Sequence, residues 1–135
     1  MTLSRSILYL LLAFGATNHL CAQSSTMTLS GRPETVLATF RVKPDQMPEF
    51  LKLMPAYWAA LRAEHLVLDA PHVMLQGEEN GKPVFFEVFS WRDHDAPEHV
   101  PPAIQQYWDR INRMVESRDG HPGIEFPEMK LVTPR

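Results

Sequence analysis

Side chains able to hold a metal or move a proton crowd together just past Trp91: His94, Asp95, Glu98 and His99. In a helical turn, His94 with Glu98 and Asp95 with His99 form four-apart pairs on neighbouring faces. A metal would need three or four donors converging on one point. This spacing brings only two onto one face, and no HExxH-type pattern occurs, so the segment reads as a solvated turn without a metal site. His99 is the candidate catalytic residue. A histidine beside a strand-end tryptophan and just ahead of a helix is placed to face a cleft and exchange protons near neutral pH. The alternative is that it bonds a backbone group and orients the loop.

His72 shares a strand face with Asp69 only if Pro71 shifts the register, and otherwise reads as a partly buried structural histidine. Glu87 alternates with Phe85 and Phe89, so it is either paired at a subunit seam or desolvated, with its pKa raised. Tyr57, Trp58, Trp91, Tyr107 and Trp108 form an aromatic set. Trp91, Trp58, Tyr57, Trp108 and His72 are the candidate ligand-binding residues, suited to a flat aromatic molecule, and the same rings also serve as core. No phosphate loop, dinucleotide fingerprint, GxSxG elbow or thiolate metal site is present, and no cofactor is expected.

The elements that must position these groups follow from periodicity. Thr35–Val42 alternates as a strand. Pro44–Asp45 then opens a helix with Met47, Phe50, Leu51, Met54, Trp58 and Leu61 on its buried face, and Pro55 predicts a kink near Leu51. Leu66–Gln76 is a strand interrupted at Pro71, which suggests an edge or a bulge. Asn80-Gly81 turns it into a third strand, Pro83–Trp91, paired antiparallel. Pro101 and Pro102 announce a second helix with Ile104, Tyr107, Trp108, Ile111, Met114 and Val115 inside, stopped by Gly120. A last strand is expected over Phe126–Val132, with Pro127 confining its start to an edge or bulge. The order is βαββαβ: an α+β, ferredoxin-like fold with two helices on one face of an antiparallel sheet. Val84-Phe85-Phe86, Val88-Phe89 and Val73-Met74-Leu75 are apolar on both faces, whereas two helices cover one. A homodimer through the other face is the expectation.

Arg5 is followed by an apolar run of about ten residues, Ile7–Ala16, and then by Thr17-Asn18-His19-Leu20-Cys21-Ala22. That order is a secretory signal, too short for a membrane span of roughly 20 residues. Residues 1–22 are therefore assigned to the signal, 23–33 to a flexible leader and 34–133 to the domain, with the mature protein secreted or periplasmic. Lipidation at Cys21 is the minor alternative, because Asn18-His19-Leu20 lacks the small residue such a site wants. Cleavage after Ala22 removes the chain's single cysteine, leaving no disulfide or thiol chemistry. A net charge of −3 without basic runs argues against nucleic acid or an anionic membrane as partner.

The stretch from Phe85 to Met129 resembles the dimeric α/β-barrel superfamily, in its antibiotic-biosynthesis-monooxygenase-like branch. The resemblance is carried by a strand ending in Trp91, an acidic turn with Ala96, then His99 and Pro101, Trp108 in the next helix, and Glu125-Phe126-Pro127 before the last strand. It implies two sheets packed across a dimer into a barrel, with ligands held between sheet and helices. Its members include cofactor-independent monooxygenases, haem-degrading enzymes, small isomerases and proteins without known activity. Haem degradation is disfavoured, since the first strand lacks the asparagine that those members use. Together with the signal, the resemblance implies an exported handler of small molecules, either a cofactor-independent monooxygenase on an aromatic substrate or a non-catalytic dimeric binding module.

Overall fold

A computed structural model describes residues 31–132. The signal assigned to residues 1–22, Cys21 within it and most of the leader lie outside the described residues.

The chain runs β1 (Glu34–Phe40), α1 (Met47–Ala63), β2 (Val67–Glu79), β3 (Lys82–Trp91), α2 (Pro102–Met114), β4 (Ile124–Glu125) and β5 (Glu128–Met129), with 3-10 turns at Pro44–Gln46 and Ala96–His99. The sheet order is β2-β3-β1-β4, with β5 also on β1 and every pairing antiparallel. This is the ferredoxin-like arrangement that the order of elements predicts.

Register decides which side chains face the helices. Val36 lies opposite Phe89, Ala38 opposite Glu87 and Phe40 opposite Phe85, and residues directly opposite share a face. All six are buried, and Phe50 of α1 packs on both Phe40 and Phe85 with ring centroids 5.3 and 4.9 Å away. Each such phenylalanine contributes about 1.5–3 kcal/mol by leaving water. Leu37, Phe86, Val88, Val73 and Leu75 point to the other face, where Val73 and Leu75 are exposed.

Several local expectations are corrected. The buried stripe of α1 is Phe50, Leu53, Met54, Tyr57 and Leu61, while Leu51 is exposed and Trp58 half-buried. The stripe is rotated from the expected one: Tyr57 turns toward Trp108 and Tyr107 of α2, while Trp58 lies over His72 and Phe89 of the sheet. The helix runs through Pro55 without interruption, the proline being on its exposed side. It closes with the Leu66 amide on the Leu61 carbonyl and His65 in the left-handed region, which tucks Leu66 into the core.

α2 ends at Met114 and not at Gly120. The chain beyond it bridges from Val115 to Val42, and Asp119-Gly120, both at positive φ, instead form the turn of a small hairpin closed by Arg118 and His121. The last strand begins earlier than predicted and is split. Ile124–Glu125 and Glu128–Met129 both pair with β1 across an irregularity at Phe126-Pro127, where the Leu37 amide bonds the Pro127 carbonyl. Pro71 behaves as expected: β2 is an edge strand, and its register slips between Val67 and His72.

Candidate functional site

Between the sheet and α2 lies a cavity of about 340 Å3. Val36 and Phe40 of β1 line it, with Tyr57 of α1, Trp91 at the end of β3, Trp108, Ile111 and Asn112 of α2, and Ile124 and Phe126 from the last strands. Pro97 and Glu34 complete the wall. Val36, Phe40 and Tyr57 are almost fully buried and mark its deep side, whereas exposed Asn112 and Phe126 mark the side toward solvent. Trp91 and Trp108 meet edge to face at 6.4 Å, as do Phe40 and Phe126 at 6.0 Å. An apolar hollow with a few polar groups is the usual form of a small-molecule site.

Its one deep polar group is the Tyr57 hydroxyl, which accepts a hydrogen bond from the Trp108 indole Nε1–H at 2.9 Å. Burial pushes the Tyr57 phenol well above its ordinary pKa, and the Trp108 bond only partly offsets this. The phenol therefore stays protonated at neutral pH.

The other candidates separate into two groups outside this cavity. Trp58 does not line it but stacks on His72, ring centroids 3.6 Å apart and planes within 7°. His72 Nε2 in turn contacts Glu87 Oε1 at 2.9 Å. Glu87 is 1% exposed on the helix-covered face, so it belongs to the core and not to a seam on the open face. Its Oε2 has no hydrogen-bond partner among the described residues. Burial pushes its carboxyl above the usual carboxylate range, opposed by the His72 contact. His72 is held there by the slipped register, while Asp69 faces elsewhere and pairs with Arg62.

His99 is exposed at the end of its 3-10 turn and does not line the cavity; its neighbour Pro97 does. The donors that come together in this loop are Asp93, His94 and Asp95. Asp93 spends its two oxygens on the backbone amides of Asp95 and Gly31, which hold its carboxyl below the usual range. His94 contacts both aspartates, at 3.3 and 2.9 Å, and its amide bonds the Arg32 carbonyl. The cluster thus fastens the entry of the domain to the loop after β3. A Cβ on Gly31 would overlap the Asp93 carboxylate, so a larger residue there would have to displace that side chain.

Sequence reasoning missed an ionic network at the opposite end of the sheet. Arg41 is buried and bonds Glu79 at 3.0 Å and Glu125 at 2.9 Å, while Arg118 reaches Glu116 at 3.0 Å and the Pro83 and Val42 carbonyls. Arginine and glutamate at either end of predicted elements were the available signal, but their pairing needs the assembled sheet.

Neither a family model nor a curated relative matches the chain. Solved structures do. A provisionally named antibiotic biosynthesis monooxygenase from Bacteroides thetaiotaomicron superposes with a TM-score of 0.57 at 16% identity, over 76% of this chain and 92% of that one. A structure named antibiotic biosynthesis monooxygenase gives 0.55 at 18% identity, over 74% and 99%. Rv0793 from Mycobacterium tuberculosis gives 0.53 at 18% identity, over 76% and 97%. The likeness is one of fold: this chain has the ferredoxin-like α+β fold of antibiotic biosynthesis monooxygenase structures.

Proposed function

We propose that this chain is an exported small-molecule-handling protein that holds a flat, largely apolar ligand between its sheet and α2. The observation that carries the reading is the cavity of about 340 Å3, walled by Trp91, Trp108, Phe40 and Phe126 around a single deep hydroxyl. Aromatic walls of this kind favour a planar ring by stacking and edge contacts. The fold shared with structures named as antibiotic biosynthesis monooxygenases supports a monooxygenase-like reaction on an electron-rich aromatic ligand. In such a reaction O2 is the oxidant and the ligand itself supplies all four electrons: two go into the new C–O bond, and two, with two protons lost from the ligand, reduce the other oxygen to water. The open sheet face supports a homodimer, and the apolar run behind Arg5 supports export.

A second reading, a dimeric binding module without catalysis, is favoured by one observation. His99, the base the sequence offers, lies outside the cavity. Oxygen uptake with a panel of phenols and hydroquinones decides between the two. An enzyme consumes O2 above the buffer rate, keeps doing so in His99→Ala, and loses most of the rate in Trp91→Ala. Binding without uptake leaves the module, and no binding of any planar ligand overturns both.

A further inference from the structure

The Trp108 indole nitrogen carries a hydrogen and no lone pair for bonding, so in its contact with Tyr57 it can only donate. That bond occupies the Tyr57 oxygen and leaves the hydroxyl proton to find an acceptor of its own. Among the described residues the hydroxyl donates no hydrogen bond, and Glu87 Oε2, the unpartnered buried oxygen of the core, does not accept one from it. A donor left unmade at a site 2% exposed is costly. The residue also lines the deep side of the cavity, where the remaining walls are aromatic or aliphatic.

We propose that Tyr57 is the specificity-determining donor of this cavity, selecting an uncharged planar ligand that presents one hydrogen-bond-accepting oxygen, such as a ring ketone or quinone carbonyl, to its hydroxyl. Trp108 is the positioning residue: by donating to the same oxygen it fixes the direction in which the hydroxyl proton points. Cooperativity strengthens both bonds, because a hydroxyl that donates becomes a better acceptor. Anionic ligands are disfavoured, since the cavity offers no cation and Glu34 stands on its wall. A site built around a hydrogen bond discriminates strongly against the analogue lacking the partner atom, whereas an apolar wall barely does so. The inference rests on the proposed ligand role of the cavity.

The test compares 1-indanone with indane, two bicyclic probes of nearly the same shape that differ by one ketone oxygen, by calorimetric titration of the full mature chain. Wild type is expected to bind both. Tyr57→Phe should weaken 1-indanone about tenfold and leave indane within about twofold, which also shows that the variant retains its cavity. If Tyr57→Phe binds neither probe, the reading moves to wild type, where the 15N-bound Trp108 indole proton should shift downfield with 1-indanone and not with indane. Equal effects of Tyr57→Phe on both probes, or identical indole shifts with both, overturn the role of Tyr57 while leaving the cavity a ligand site. Failure of wild type to bind either probe overturns the ligand site and this inference with it.

Discussion

Glu87 stands between two phenylalanines on the helix-covered side of β3, with one oxygen on His72 and the other unpartnered among the described residues. Its folded pKa lies above the ordinary 4.5 because burial penalises the charged form. The native state then binds more protons than the unfolded chain from about pH 4.5 upward, so this group's contribution to stability is present below that value and is lost as pH rises through the folded pKa. Thermal denaturation should show wild-type Tm falling relative to Glu87→Gln between pH 5 and 8, since glutamine keeps the bond to His72 without a charge. A constant gap across that range would contradict the assignment. Alternation along β3 made Glu87 legible as a neighbour of Phe85 and Phe89. Its bond to His72 was not legible, because a slip between Val67 and His72 sets that register, and sequence marks the slip only by Pro71.

Elements were readable where periodicity was long and unreadable where tertiary pairing decided. Both helices and the Asn80-Gly81 hairpin follow from spacing and turn chemistry. The orientation of α1 does not: Tyr57 and Trp58 are 100° apart on the helix, and packing turns the tyrosine to α2 and the tryptophan to His72 and Phe89 of the sheet. The end of α2 was misplaced because Val115 leaves the helix to bridge Val42. Arg41 ties β1 to the β2 end through Glu79 and to β4 through Glu125, partners 38 and 84 residues away in sequence. Glu125 is held below the usual carboxylate range, first by its bond to Arg41 and then by His121, so its share of stability is present above its unfolded pKa and is lost as pH falls through the lower folded one. Arg41→Met should therefore lower the urea midpoint at pH 7 and cost much less at pH 3, as the charge of Glu125 is lost. An equal loss at both pH values would assign Arg41 a packing role instead.

At the scale of the whole molecule, the two sheet faces have different tasks. One carries the core and the cavity. The other presents Leu37, Phe86, Val88, Val73 and Leu75, the last of them 56% exposed, and an apolar face of this kind fits a second copy of the same sheet. Light scattering at micromolar concentration should give twice the monomer mass, and Leu75→Glu should weaken self-association at least tenfold by placing a charge in each copy of the seam. A monomeric wild type would contradict the dimer. Apolar residues on both faces of β2 and β3 made this face legible from sequence. The cavity was legible only as a set of aromatic residues, because which of them face it depends on how α1 and α2 settle on the sheet. The three tryptophans now separate cleanly: Trp91 and Trp108 line the cavity, and Trp58 lies on His72 outside it. A 15N–1H NMR titration of the indole signals with 1-naphthol therefore reads occupancy of the cavity residue by residue. Saturable shifts are expected at Trp91 and Trp108, with Trp58 unmoved. A response confined to Trp58, or none at all, would contradict it.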